Sequence, residues 1–575
     1  MDDNADKLVI AISEMDEATA LRLSKEMLAD GTDPMEVLRL CRVAMDIVGE
    51  RFEKEEYFLP ELMMAGDMLE QIGVLIKPLL MGAADGDGPK THATIVLGTV
   101  HGDLHDIGKN IVGVVLRCNN FEVIDLGVMV PTQKILDTAK AKQADIIGLS
   151  GLITPSLEEM GQVAKEMQRQ GLQVPLLIGG ATTSRAHTAL KIEPHYEAGT
   201  VWVKDASRAV GVAQSLVSKE RVKDFLAKVR TDYAKVRERY RNRGPGKRLM
   251  ALPQAREQRF SCDWSNYHPP QPKRPGLSVF NDYDLAKLRD YIDWTPFFQA
   301  WELRGHYPAI LTDEVVGPQA SELFSDAQAM LDKIITEKWL TARAVIGLWP
   351  AANSGDDVEV YSDTTRTTRL AILHSLRQQA DKPIDRPNFC LADFITPKEF
   401  NKPDWIGGFA VTTGLGIEEH LARFQADDDD YSSIILKALA DRLAEAFAEH
   451  LHERVRTEFW GYAEDEKLDN HALIAEHYRG IRPAPGYPAC PDHTEKATLF
   501  ELLEATANTG IQLTEGFAMY PAAAVSGWYF SHPQSQYFVV GRLSRQQIDD
   551  YAQRKKWSVE EAEHWLSPWL DYEPD

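Results

Sequence analysis

Gly98-Thr-Val-His-Gly-Asp-Leu-His-Asp-Ile-Gly108 lies between an apolar run, Ala93-Thr-Ile-Val-Leu97, and a helix-like run, Lys109-Asn-Ile-Val-Gly-Val-Val-Leu-Arg117. Strand, glycine-rich loop and helix, in that order, form an arrangement in which cofactors bind. His105 is flanked by polar residues and by Gly102 and Gly108, which places its imidazole in a crevice rather than in a core. Asp103, two residues earlier, can take one ring nitrogen and leave the other for a metal or a proton.

Outward from this loop, apolar β-rich runs alternate with helical patterns five times, the strands being expected at 94–98, 122–126, 146–150, 175–178 and 200–203. Short and nearly continuous in apolar residues, they describe a parallel sheet covered on both faces, a doubly wound flavodoxin-like (Rossmann-like) domain over residues 92–227. Ligands of such sheets bind beyond the carboxyl ends of the strands. There the polar and glycine clusters fall: 101–106, 150–156, 179–184 and 204–206.

Upstream, apolar spacings of three and four predict helices at 7–13, 20–28, 35–47 and 59–80, a four-helix bundle within residues 1–90. Gly31 and Asp33-Pro34 supply a helix stop, an N-cap and a first-turn proline. Read as a bundle alone, Phe52 and Leu59 are ordinary core residues. The glycine-rich stretch 82–90 reads as a linker. Downstream, the basic run 228–250 reads as a solvated helix and hinge, followed by a proline-rich connection to about residue 275. Residues 251–575 form a separate α/β region with long helices at 322–338 and 432–456.

A chain of 575 residues requires several domains, and its 44% hydrophobic and 26% charged content is that of a globular protein. The net charge of −24 opposes a general nucleic-acid partner, since phosphate backbones need clustered lysine and arginine. Cys41, Cys118, Cys262, Cys390 and Cys490 form no C-x-x-C pair, so neither a disulfide framework nor a cysteine zinc site is signalled. With no leader-like N-terminus and no apolar run long enough for a membrane, a cytoplasmic location is expected.

The Asp103-x-His105-x-x-Gly108 pattern is followed at similar strand ends by Ser150-x-Leu152 and Gly179-Gly180. Together they resemble the cobalamin-binding module in which a protein histidine replaces the cofactor's own lower ligand. Asp293-Trp-Thr-Pro-Phe-Phe298, Arg482-Pro-Ala-Pro-Gly-Tyr-Pro-Ala-Cys490 and Gly527-Trp-Tyr-Phe-Ser-His-Pro-Gln-Ser-Gln-Tyr537 resemble the reactivation domain of the cobalamin-dependent methionine synthase family. The resemblance is to the C-terminal half of that family and covers almost the whole chain.

It implies that His105 is the axial ligand of cobalt and that Asp103 and Ser156 relay its proton. By the same resemblance Gly102, Leu104, Asp106, Ser150, Thr154, Gly179, Gly180 and Ala206 join Asp103 and His105 around cobalamin, with Ser150, Thr154 and Ala206 toward the nucleotide tail. Phe52 and Leu59 would cap the corrin from the bundle. Asp293, Glu445, Arg482, Ala484 and Tyr537 would hold S-adenosylmethionine, Arg482 facing its carboxylate and the two acids its cationic groups.

The implied activity is that of a methyltransferase of methionine biosynthesis (5-methyltetrahydrofolate–homocysteine methyltransferase). This chain would carry the methyl group as methylcobalamin. It would also remethylate Co(II) cobalamin with S-adenosylmethionine and one electron, supplied by a flavodoxin or equivalent reductase. The homocysteine and methyltetrahydrofolate modules, with their zinc site, have no counterpart in this chain and would be covalent or separate partners of a monomer.

Other readings of the loop are weaker. His101-x-Asp103-x-His105 as a hydrolytic metal site has no third close ligand except Asp106. Gly98-Thr-Val-His-Gly is not a dinucleotide fingerprint, and a receiver-like signalling domain has no need of His105 or Gly179-Gly180. A corrinoid carrier serving a separate methyltransferase explains residues 1–227 equally well but not the C-terminal region.

Overall fold

The computed structural model describes residues 3–54, 56–80, 93–119, 121–242 and 249–574. Its two compact units are Met1–Tyr240 with Trp294–Trp339 and Gly416–Leu439, and Arg241–Asp293 with Leu340–Leu415 and Ala440–Asp575. Two segments beyond residue 251, Trp294–Trp339 and Gly416–Leu439, thus fall in the first unit, where Glu302 and Lys437 make the polar contacts described below.

The first unit begins with the expected bundle: α1 (Asp3–Ser13), α2 (Glu17–Ala29), α3 (Pro34–Glu53) and α4 (Leu59–Leu80). Asp16 caps α2 by accepting the Thr19 N–H. On α3 Val37, Leu40, Cys41, Ala44 and Val48 are buried at spacings of three and four, which is the stripe a bundle core requires. Gly66 on α4 lies so near Cys118 that an added Cβ would stand 2.3 Å from its sulfur, and the Cys118 thiol donates to the Leu62 carbonyl at 3.3 Å. The stretch 82–90, read as a linker, lies outside the described residues.

The parallel sheet follows, with β1 (Thr94–Thr99), α5 (Ile107–Cys118), β2 (Glu122–Asp125), α6 (Thr132–Ala141), β3 (Ile146–Ser150), α7 (Ser156–Arg169), β4 (Leu176–Gly179), β5 (Thr200–Trp202) and α8 (Ala206–Val217). Its strand order is β2-β1-β3-β4-β5, the flavodoxin-like order. Successive side chains on a strand face opposite ways, and both sets are apolar. Val96, Ile147 and Ile178 join α6 and α7 in one core, whereas Ile95, Ile146, Leu177 and Val201 join Leu116, Ala209 and Ala213 in the other.

The boundary expected at 227 falls inside a helix, α9 (Val222–Asn242). Phe225, Leu226 and Val229 extend the second core, the Tyr233 hydroxyl accepts the Trp202 N–H at 2.9 Å, and Arg237 pairs with Glu193 at 2.5 Å. What composition presents as a solvated hinge is thus anchored on one face; the end of the basic run, 243–248, is not among the described residues.

The second unit is built on an antiparallel sheet. Strand Asp404–Leu415 pairs with Thr341–Ser354 on one side and Ala524–Tyr529 on the other; Gly276–Tyr283 and Asp357–Tyr361 share the far edge of Thr341–Ser354, and Arg369–His374 follows. The expected proline-rich connection up to 275 is not a free tether. Met250 donates to the Gln379 carbonyl at 2.7 Å, Arg256 bridges Asp356 and Asp550 at 2.7 and 2.8 Å, and Lys402 binds the carbonyls of Trp264, Ser265 and Tyr267. Composition missed this because the partners of these polar residues lie a hundred positions or more away. Among the described residues no helix is long and apolar enough to cross a membrane.

Candidate functional site

Three strand ends meet in register: Thr99 of β1 stands beside Ser150 of β3, and Ser150 beside Gly179 of β4. The loop after β1 passes over this edge. Gly102 takes φ +79°, a conformation that favours glycine, and the chain turns back so that Thr99 Oγ1 donates to the His105 carbonyl at 3.0 Å.

Asp103 is fully buried and is the node of the loop. Its Oδ1 accepts from the His105 backbone N–H at 3.1 Å and from ring Nδ1 at 2.7 Å. Its Oδ2 accepts from the backbone N–H groups of Leu152 and Ile153 at 2.6 and 3.2 Å and from Ser156 Oγ at 2.6 Å. Burial alone would raise its pKa, but the His105 ring, the Ser156 hydroxyl and the Leu152 N–H together hold the carboxyl well below the usual range. An ionised Asp103 can only accept, so Nδ1 carries the proton and Nε2 is the nitrogen left to bind a metal. The His105 side chain is one-third exposed, at 34%.

The expected surroundings assemble here. Leu104 and Ser156 are buried, while Ser150, Thr154 and Asp106 are partly exposed. Gly180 has φ +111°, and a Cβ there would stand 2.0 Å from the Gly151 carbonyl oxygen, so this close approach requires glycine. Gly179 is different: a Cβ would meet only the Leu149 carbonyl at 3.9 Å, which leaves its outer side open. A floor without side chains next to a histidine with one uncommitted nitrogen fits a broad flat metal complex.

Two residues not singled out from the sequence reach this edge. Lys437 pairs with Asp106 at 2.5 Å, and Glu302 Oε1 accepts the Ala206 backbone N–H at 2.6 Å. Ala206, expected beside a ligand's tail, therefore has its N–H committed to a carboxylate. Phe52 is half-buried and Leu59 is buried, at the end of α3 and the start of α4.

The second group of expected residues lies in the second unit. The Arg482 backbone N–H donates to Tyr537 Oη at 3.0 Å, and Gly527 allows the Pro483 carbonyl to approach and accept the Trp528 N–H at 2.9 Å. Glu445 has its pKa raised, first by burial and then by Asp441 and Glu449, against the pull of Arg442 and Arg482. Asp293 and Glu445 both act on Arg442. Ala484 adjoins the exposed Tyr487, whose N–H its carbonyl accepts at 3.2 Å. The structure thus brings Arg482 to Tyr537 by contact and to Glu445 through its field, with Asp293 linked through Arg442.

The guanidinium of Arg482, expected to face a ligand's carboxylate, is partly committed within the protein. It donates to Glu449 at 2.7 Å, to Tyr478 Oη at 2.9 Å and toward His452 Nδ1 at 3.3 Å. Glu449 and His452 share with Glu445 and Arg456 the spacing 445, 449, 452, 456, one face of a helix. That polar stripe was the readable signal.

Residues 284–556 match the family described as vitamin B12 dependent methionine synthase, activation domain. Residues 93–207 and 5–72 match two families described as B12 binding domains. The chain is similar to the MetH reactivation domain solved with AdoHcy, at 55% identity over 56% of this chain and 99% of that one, with a TM-score of 0.55. It also matches a cobalamin-binding protein from Desulfitobacterium hafniense DCB-2 at 30% identity, over 37% of this chain and 98% of that one, with a TM-score of 0.28. For the methanol:cobalamin methyltransferase complex MtaBC from Methanosarcina barkeri the identity is 24%, the coverage 40% and 85%, and the TM-score 0.35.

Proposed function

The chain belongs to the vitamin B12-dependent methionine synthase family, and on that premise we propose that it holds cobalamin at His105 and supports remethylation of the Co(II) form by S-adenosylmethionine with one electron from a reductase. The observation that carries the reading is the buried Asp103 carboxylate shared by His105 Nδ1 and Ser156 Oγ. When bound, the corrinoid supplies a cobalt centre able to accept and give up a methyl group.

The residues of the chain do the rest. Asp103 fixes the tautomer and aim of His105, so that Nε2 faces the open edge. Nε2 would then hold the cobalt, while Asp103, whose charge Ser156 and two backbone N–H groups sustain, keeps the ring in place through Nδ1. Gly179 keeps the floor clear and Gly180 lets the loop close against Gly151; Gly102, Leu104, Asp106, Ser150, Thr154 and Ala206 would border the bound group, and Phe52 and Leu59 would cap it from the bundle. In the second unit Arg482 orients the carboxylate of S-adenosylmethionine, Asp293 and Glu445 offset its positive charges, and Ala484 and Tyr537 line its site.

The domains assigned to these tasks are 1–90 for the cap, 92–227 for cobalamin and 251–575 for S-adenosylmethionine, with 228–250 between them. The partners are a flavodoxin or equivalent reductase and the homocysteine and methyltetrahydrofolate modules, in the cytoplasm.

The test is electron paramagnetic resonance of the full chain loaded with Co(II) cobalamin. Wild type should show nitrogen coupling from a protein ligand, and His105→Ala should lose it. Unchanged coupling in the variant would remove His105 from the axial position.

A further inference from the structure

Arg482 is built into a buried polar cluster in the second unit. Its guanidinium meets Glu449 Oε2 at 2.7 Å and Tyr478 Oη at 2.9 Å, with His452 Nδ1 at 3.3 Å. The Glu449 side chain is only 9% exposed, and its second oxygen has no hydrogen-bond partner, lying 4.0 Å from Arg456. Arg456 is fully buried, pairs with Glu466 at 2.6 Å and lies over the Tyr478 ring at 4.3 Å. His452 is fully buried, stacked on Tyr529 at 5.1 Å and edge-on to Tyr478 at 4.8 Å.

The proton bookkeeping is decided by donors that cannot accept. A guanidinium only donates, so His452 Nδ1 must accept and its proton sits on Nε2. Burial and the two arginines push its pKa well below the ordinary value, which keeps the ring neutral. Glu449 is then the acid in direct contact with Arg482, while His452 and Tyr478 supply uncharged acceptors. An unpaired arginine side chain is long and samples many rotamers. Here Nη1 is taken by Tyr478 and His452 and one N–H of Nη2 by Glu449, so the edge formed by Nε–H and the second Nη2 N–H is held in a single orientation.

We infer that Glu449 is a positioning residue for S-adenosylmethionine, clamping the Arg482 guanidinium so that its unused N–H edge is aimed at the ligand's carboxylate. The inference rests on the proposed role of Arg482, and it adds a residue that does not itself touch the ligand. It also explains why a costly buried acid with an orphaned oxygen is kept beside two arginines.

The test compares two ligands on the full-length protein by calorimetry: S-adenosylmethionine, and its decarboxylated form, which lacks the carboxylate but keeps the sulfonium and adenosine. Glu449→Ala should weaken S-adenosylmethionine about tenfold or more and leave the decarboxylated ligand within about twofold. Glu449→Gln, which retains an acceptor for the guanidinium, should recover most of the loss. If Glu449→Ala does not fold, Glu449→Asp keeps the buried charge but withdraws it from Arg482, and the same carboxylate-specific loss is expected. Equal losses for both ligands would reduce Glu449 to a structural role, and no loss for either would dismiss it; both overturn the inference. Failure of the wild-type protein to bind S-adenosylmethionine would instead overturn the site's assignment, and that titration is read before any variant is made.

Discussion

Asp106 and Lys437, 331 positions apart, form an ion pair at 2.5 Å, next to the histidine on which the first site turns. Both side chains are about one-fifth exposed, at 21% and 19%, so solvent screens the pair only in part. Asp106 also accepts from the Asn110 amide at 3.2 Å, which holds the carboxylate at the start of α5.

Lys437→Met should therefore destabilise the first unit by about 1–3 kcal/mol, and Asp106→Asn by a similar amount. Because they remove the same contact, the double variant should cost less than the sum. A thermodynamic cycle from denaturant unfolding of the four apoproteins measures this. Strict additivity would mean that the pair contributes nothing in solution.

The paired glycines separate folding from ligand binding. Gly180→Ala introduces both a left-handed alanine and a backbone collision, and should cost about 1–3 kcal/mol or more in the apoprotein. Gly179→Ala meets nothing closer than 3.9 Å, so apoprotein stability should stay within about 0.5 kcal/mol. It should nevertheless weaken cobalamin uptake, followed by the visible spectrum. Normal uptake by this variant would show that the cofactor does not lie against Gly179.

His532 gives the second unit a pH dependence. It is caged by Phe260, Trp264, Tyr267 and Phe394, and its Nδ1 accepts the Gln534 N–H at 3.1 Å. Burial, aided by Arg479, pushes its pKa down to about 4. The unfolded chain, with an ordinary histidine near 6.5, binds more protons between these values, so stability is full above about pH 6.5 and falls as the pH drops toward 4. The loss should approach about 3 kcal/mol. Urea midpoints of wild type and His532→Phe, compared from pH 7 to 4.5, test it: the variant should lack this component, and parallel curves would contradict the assignment.

Arg256 ties the segment after residue 249 to Asp356 and Asp550. Its side chain is 34% exposed, and Asp356 keeps Arg377 at 2.6 Å, so Arg256→Ala should cost only about 1–2 kcal/mol. Limited proteolysis should then cut within 249–275 faster than in wild type. Arg22→Ala, which breaks an exposed pair with Glu26, serves as the neutral control.

The electrostatic clamps were hidden for a common reason. A hydrogen bond's strength depends on distance and burial, and neither Glu302 nor Lys437 has a local pattern that names its acceptor or donor. Glu449 and His452 were half-legible, since their stripe on one helix face marks them as neighbours of Glu445. That the stripe is buried, and that it grips Arg482, required the packing of strand Ala524–Tyr529 behind them, where Tyr529 stacks on His452.

By itself the sequence determined what repeats locally: the five strands with apolar residues on both faces, the helical spacing of the bundle, and the Asp103-x-His105 loop with its glycines. These follow from side-chain period and backbone freedom, which are properties of a few neighbouring residues. Only the tertiary structure decided that α9 is anchored past residue 227, that two segments beyond 251 pack with the N-terminal domains, and that Arg482 is partly occupied. Those outcomes depend on which distant polar groups are desolvated together, because a buried charge is tolerated only where the fold delivers its partner.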